Sequence, residues 1–348
     1  MQEVWKVNIL IIGGSSFVGA YQTEKLVSDK KFEGQVVATG RNTKFREWYE
    51  KMGVPYYYVD ICDKTTFDAI KKYHFDVVVL CAALMPSNVP RIEEYDDVIN
   101  YYEVNLMGTI NVLEFCRENG IPRVIAFGTG FDCRLYDEDV IISEKTPLKF
   151  SYTDDHAGYV MSSNAKREVM KYYNEKYAMK NIYLRLPTIL GVGPHGGMFR
   201  NGVYCKSGLQ IFIEKAKKGE EIEIFGDGNI KKNLLYVKDL VLEVQKIIEN
   251  TEAKGFYNIG YDKSFTLLET VNAIVNVFGS ANKQSQIKLC PEILNNGGFP
   301  QMSMEKLKKE IGFFPEFPDI KAIMIDYKYE LERGVYTELF KERYNENE

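Results

Sequence analysis

A chain of 348 residues can form one large domain or two medium ones and can bury most of its unfolded surface, which excludes a disulfide-stapled miniprotein. With 45% hydrophobic and 27% charged residues it has the composition of a globular protein, so global disorder is excluded too. Forty-four basic against 49 acidic residues give a formal net charge of −5 without a sizeable basic block, and nucleic acid is not the expected partner.

In chain order, Val7 to Ile12, Gln35 to Thr39, Tyr56 to Val59, Val77 to Cys81 and Val124 to Phe127 are apolar, β-branched runs of strand length. Amphipathic segments of helix length separate them. That alternation predicts an α/β fold, a Rossmann-like doubly wound parallel sheet covered by helices on both faces. Ile182 to Arg185 reads as a sixth strand. Residues 191 to 208 then hold six glycines and Pro194, a composition that predicts a loop closing over a ligand. The remainder, with Phe299-Pro300 and Phe313 to Pro318, reads as a smaller mixed domain ending in a polar helix. The apolar run Ile9 to Ile12 is too short for a membrane span or a signal segment, so no membrane partner is expected. Cysteines at 62, 81, 116, 133, 205 and 290 form no C-x-x-C pair and have no histidine at ligand spacing. Free thiols, a reducing cytoplasmic setting and no metal are expected. His74, His156 and His195 are the three histidines, which limits the general-base candidates.

Directly after the first strand comes Gly13-Gly14-Ser15-Ser16-Phe17-Val18-Gly19, opening a helix. In that context backbone N–H groups and the positive helix end meet a dinucleotide pyrophosphate. A tight strand-to-helix connection would use the same glycines, and Ser16 stands where a middle glycine is common. At the end of the second strand, Thr39-Gly40-Arg41-Asn42-Thr43-Lys44 offers no carboxylate for a ribose 2′-OH. Arg41 would instead meet a 2′-phosphate, which favours NADP over NAD.

From here the chain resembles the extended short-chain dehydrogenase/reductases, the NAD(P)-dependent epimerase/dehydratase group that modifies nucleotide sugars. Asp60-Ile61 resembles the family's adenine-contacting pair, and Cys81-Ala82-Ala83 its small-residue cofactor contact. Val104-Asn105-Leu106-Met107-Gly108-Thr109 resembles the Asn-containing helix behind the active site. Leu184-Arg185-Leu186-Pro187-Thr188, Phe225-Gly226-Asp227-Gly228, Leu235 to Leu240 and Tyr257-Asn258-Ile259-Gly260 follow in family order. The resemblance implies a Rossmann domain over 1–186, joined by returning segments near 234–262, with 187–348 mainly substrate-binding. It places Gly13, Ser15, Ser16, Phe17, Val18, Gly19, Arg41, Asp60, Ile61, Ala82, Ala83, Asn105, Tyr159 and Pro187 around NADP or NAD, and implies a homodimer built from two helices of each subunit.

The family's reacting oxygen is held by a Ser or Thr ending the fifth strand, here Thr129, and by a Tyr with a Lys four residues later. Tyr159 fits, but Ser163 stands where the Lys belongs. A phenol with an ordinary pKa near 10 is a poor base at neutral pH without a nearby ammonium. Lys166, seven residues on, lies about 10.5 Å further along a helix axis and is not expected to substitute. Arg185 on the next strand is a second possible cation. Gly130 and Phe131 replace the Asp-Glu pair of the family's dehydratases, which disfavours 4,6-dehydration. Cys133 and His195 remain as proton carriers of the kind that family epimerase-reductases use beside a keto group, although Cys133 falls two residues beyond the family position. Lys232 stands where the family has an Arg gripping the substrate diphosphate.

Two readings follow. One is an NAD(P)-dependent nucleotide-sugar epimerase or keto-sugar reductase; the other is a dinucleotide-binding protein that has lost the chemistry and serves as a redox sensor or partner subunit.

Overall fold

The computed structural model describes residues 4–86, 98–200, 203–280, 282–295 and 297–341, without the side chains of 195, 198–200, 203 and 204. Its main sheet has seven strands: β1 (Ile9–Ile12), β2 (Val36–Gly40), β3 (Tyr56–Tyr58), β4 (Val77–Leu80), β5 (Val124–Thr129), β6 (Ile182–Leu186) and β7 (Gly255–Asn258). They lie in the order β7-β6-β5-β4-β1-β2-β3, and every pairing is parallel. The doubly wound reading is therefore met, and the sequence boundaries hold to within two residues.

Burial on both faces explains the unbroken apolar strands. Along β1, Ile9 and Ile11 enter one core and Leu10 and Ile12 the other, as a period of two requires. The first core includes helix α1 (Phe17–Ser28) and α4 (Val237–Glu249); the second includes α2 (Gly108–Glu118) and α3 (Ala157–Tyr177). Strand order reverses between β1 and β4, so their carboxyl ends open a crevice there. That is the usual ligand position in such sheets.

Two sequence expectations change. In the glycine-rich segment Gly197–Arg200 pairs antiparallel with Val203–Lys206, after a short turn over Pro194–Gly196. Gly191 and Gly193 serve packing: a Cβ on either would fall within 2.8 Å of the Phe17 ring. The C-terminal segment is also less peripheral than its polarity suggests. Helix α5 (Leu267–Phe278) packs on α6 (Ile320–Arg333), whose Arg333 pairs with Glu24 of α1 at 2.6 Å. Just beyond it, Tyr336 stacks on Tyr21 with ring centroids 3.7 Å apart. The tail is thereby fastened to the dinucleotide-type half. All six cysteines are free, and among the described residues no helix is long and apolar enough to cross a membrane.

Candidate active site

The turn after β1 is shaped by close approach. Gly13 has φ +86°, and a Cβ there would lie 2.5 Å from the Ala82 nitrogen; on Gly19 it would lie 2.3 Å from the Gly13 oxygen. Both positions exclude a side chain, so the backbone of α1 comes against the turn. Ser16 is the N-cap of α1 and accepts from the Gly19 amide at 3.2 Å, which leaves its O–H free to donate to an anion. Ser15 packs over Gly40, where a Cβ would meet the Ser15 hydroxyl at 2.4 Å. Phe17 is buried under Gly191 and Gly193, so its side chain is structural while Phe17 and Val18 present the first helical N–H groups.

Around this turn, Ala82 and Ala83 leave β4, and the Ala82 amide donates to Ile12. At the end of β2, Arg41 is 67% exposed and stands 3.9 Å from the Asp60 carboxylate. Ile61 lies beneath Gly108, and Asn111 holds its carbonyl at 2.8 Å. A Gly-bounded cradle at a helix N-terminus, floored by alanines, fits a dinucleotide.

Asn105 occupies a π-helical turn, Tyr102–Met107, that precedes α2. It is 1% exposed; its oxygen accepts from the Leu84 amide at 2.8 Å and its nitrogen donates to Leu84 O and Ser162 Oγ at 3.0 and 3.1 Å. Ser162 in turn donates to the Tyr159 carbonyl at 3.0 Å. The resemblance implies a cofactor contact at Asn105; its amide is committed to the protein and braces the alanine floor against α3. Pro187 is buried where the chain leaves β6.

Tyr159, in the first turn of α3, meets Thr129 at the end of β5. Burial pushes the phenol up to about 12, and the Thr129 and Ser163 hydroxyls that face it pull partly back. Thr129 Oγ1 accepts from the Phe131 amide at 3.1 Å, which leaves its proton to donate. Ser163 is buried, and its hydroxyl makes no hydrogen bond among the described residues.

The cations divide sharply. Arg185 is fully buried, 3.1 Å from Asp132, and also donates to Ser143 O and the Asn258 side chain. It clamps the turn after Thr129 to β7 and supplies no charge to the phenol, contrary to one sequence option. Lys166 does the unexpected: its Nζ donates to Phe127 O at 2.6 Å, two residues before Thr129 on β5. Helical side chains lean towards the N-terminus, which carries the amine back over β5.

Cys133 is 1% exposed, with its sulfur donating to Pro147 O at 3.8 Å. Burial, reinforced by Asp132, pushes the thiol up to about 12. It is sealed in the wall, and its expected role as a proton carrier is corrected on that ground. His195 lies in the turn Pro194–Gly196, but its side chain falls outside the described residues. His156, which sequence reasoning left unassigned, stacks on Phe131 at 4.3 Å between centroids and shares a 2.6 Å bond with Asp155. It sits one helical turn before Tyr159. Lys232 donates to Gly297 O, and its ammonium is pushed down by burial and by Arg134. Arg134 was not singled out from sequence; it lies over the Phe299 ring and donates to Gly298 O, making a second cation beside Lys232.

Known proteins resemble this chain in sequence and in fold. UDP-glucose 4-epimerase of Streptococcus mutans is 23% identical over 329 residues, covering 91% of this chain and 94% of that protein. The dTDP-4-dehydro-6-deoxy-D-allose reductase of a Streptomyces species is 24% identical over 247 residues, covering 69% and 70%. The crystal structure of Thermotoga maritima UDP-glucose 4-epimerase with UDP-glucose superposes with a TM-score of 0.72 at 20% identity, covering 94% of this chain and 99% of that one. The family model that matches spans residues 9–260, from β1 through β7 and the return segment that follows it. With its glycine cradle, its Thr129–Tyr159 pair and that match, the chain belongs to the NAD dependent epimerase/dehydratase family.

Proposed function

We propose that this protein is an NADP(H)-preferring enzyme that reduces or epimerises a keto-sugar carried on a nucleoside diphosphate, with residues 187–348, outside the return segments 234–262, forming most of the sugar-nucleotide site. The observation that carries the reading is the Tyr159 phenol held against Thr129 at the carboxyl end of β5. When bound, the nicotinamide end of the dinucleotide supplies a hydride donor or acceptor. Gly13, Ser16, Val18, Gly19 and Arg41 would hold its phosphates; Asp60, Ile61, Ala82 and Ala83 would line its adenine and ribose side.

Thr129 donates a hydrogen bond to the reacting sugar oxygen and fixes its distance from Tyr159. A phenol pushed up to about 12 is protonated at neutral pH, so Tyr159 is set to give a proton to a carbonyl oxygen. That favours the ketone-reducing half-reaction. Gly130 and Phe131 offer no acid for a leaving hydroxyl, which argues against 4,6-dehydration. The second proton of an epimerisation falls to a histidine at the mouth: His195 in the glycine-rich turn, or His156, which Asp155 and Phe131 hold in place. Lys232 and Arg134 supply positive charge for the diphosphate. The same family reading implies a homodimer built from two helices of each subunit.

Incubation with NADPH and a panel of UDP- and dTDP-4-keto-sugars, followed by product separation, tests this. Turnover in the wild type that falls by about 10²-fold or more in Tyr159→Phe is expected. Cofactor binding without turnover on any member of the panel would instead support the binding-protein reading.

A further inference from the structure

The first turn of α3 meets the segment leaving β5 at two successive levels. At the inner level the Tyr159 phenol faces the Thr129 hydroxyl. Three residues earlier, His156 lies flat on the Phe131 ring, with centroids 4.3 Å apart and planes within 4° of parallel. His156 has helical backbone angles, φ −100° and ψ −6°, so it and Tyr159 are i, i+3 neighbours on one face of the helix, about 5–6 Å apart at Cβ. Phe131 and Thr129 are tied in turn, because the Phe131 amide donates to Thr129 Oγ1 at 3.1 Å. The imidazole therefore stands beside the Tyr159–Thr129 pair, one step along the same seam.

Its anchoring decides which nitrogen can work. Nδ1 lies 2.6 Å from Asp155 Oδ1. A carboxylate only accepts, so Nδ1 carries the hydrogen and Nε2 keeps its lone pair. Among the described residues Nε2 makes no hydrogen bond, and the side chain is 29% exposed. Asp154 Oδ1 accepts from the His156 amide at 3.0 Å, which fixes the backbone that carries the ring. Phe131 is itself braced by an edge contact with Phe299, centroids 5.7 Å apart. Held by Asp155 at one edge and by Phe131 on one face, the imidazole has a fixed tautomer and a fixed plane.

Resting on the reading of Thr129 and Tyr159 as the pair that holds a sugar ketone, we propose that His156, oriented by Asp155, is the base that removes a proton from the carbon next to that ketone. The activity this adds is enolisation without any change of oxidation state. Nε2 takes the proton, the C–H electron pair becomes the second bond between the two carbons, and the C=O π pair moves onto oxygen. There Thr129 and Tyr159 donate hydrogen bonds to the enolate. The imidazolium, its charge balanced by Asp155, returns a proton to the same carbon and the ketone re-forms. Between the two steps the Nε2 proton exchanges with water. No hydride moves, and no oxidant or reductant is consumed.

Proton NMR in D2O reads this directly, with the whole protein saturated with NADP+ so that no ketone is reduced. With a UDP- or dTDP-4-keto-sugar, the signals of hydrogens beside the ketone should fade about tenfold or more faster than without protein. His156→Ala should lose that acceleration, and added imidazole should restore part of it, a rescue that a histidine serving only to pack on Phe131 does not give. Asp155→Asn should slow the exchange by about tenfold. Unchanged exchange in His156→Ala, or a loss that imidazole does not repair in a variant still binding NADP, overturns the assignment. Exchange that EDTA stops also overturns it, since Asp154, Asp155 and His156 each bring a ligand atom within 4.8 Å of the others and would then be holding a metal ion. A wild type that reduces keto-sugars with NADPH but exchanges no hydrogen overturns the enolisation and leaves the reductase reading standing. One that exchanges without reducing does the reverse, and one that does neither overturns both.

Discussion

A Cβ on Gly19 would stand 2.3 Å from the carbonyl oxygen of Gly13, so helix α1 meets the turn after β1 by direct backbone packing. Gly19→Ala must push the helix off the turn, and Gly13→Val must also force a β-branched residue to φ +86°. Either change should weaken dinucleotide binding by about tenfold or more. Calorimetry measures it directly, and loss of the cofactor-induced rise in melting temperature is the quicker sign. Retained affinity in both variants would remove the dinucleotide assignment.

Arg41 should discriminate between the two dinucleotides. Its exposed guanidinium is positioned by Asp60 at 3.9 Å, an ion pair too open to contribute much stability. Arg41→Ala should weaken NADP by roughly 1 to 3 kcal/mol while leaving NAD nearly unchanged. Equal losses for both would mean that the guanidinium does not read a 2′-phosphate.

Lys232 and Arg134 should act on the other phosphates. Lys232→Met and Arg134→Met keep most of the apolar stem over Gly297 and Phe299 but remove the charge. Each should weaken UDP and dTDP by roughly 1 to 3 kcal/mol, leave NADP affinity intact and scarcely affect the bare nucleoside. A nucleoside as sensitive as the diphosphate would point to the base rather than the phosphates.

Lys166 gives a stability prediction whose sign is fixed by linkage. Burial pushes its amine down to about 8 in the folded protein, from the ordinary value of about 10.5 that it has in the unfolded chain. Between these values the unfolded state binds more protons, so this group's contribution to stability improves as pH rises from about 8 to 10.5 and is worst below 8. Lys166→Met should therefore stabilise the protein at pH 7 by roughly 1 to 3 kcal/mol, with the advantage shrinking towards pH 10. Denaturant unfolding of both proteins at the two pH values checks this, and a Met variant less stable at pH 7 contradicts it.

These outcomes mark where the sequence could be read and where it could not. Gly13 and Gly19 were legible because the need for them is local: a backbone conformation and a helix-to-turn contact set by residues six apart. The strands were legible for a similar reason, since burial on both faces writes itself as a continuous apolar run. The bond from Lys166 to the Phe127 carbonyl was not legible because spacing along a helix does not say at what level β5 passes beneath α3. Arg185 stayed ambiguous because its partner, Asp132, lies 53 residues away in sequence. Cys133 looked reactive in a string of letters, but its burial is decided by Pro147 and Asp132. The His156–Phe131 stack joins segments 25 residues apart, and no spacing rule announces it.

The amide of Asn105 gives the site a single mechanical joint. Through it the Leu84 backbone, at the edge of the alanine floor, is tied to Ser162 and thence to the backbone of Tyr159. The alanine floor and the helix turn that carries Tyr159 are therefore tied to one another through a single side chain. A displacement at either end of this chain of hydrogen bonds must be taken up by the Asn105 amide or passed on to the other end.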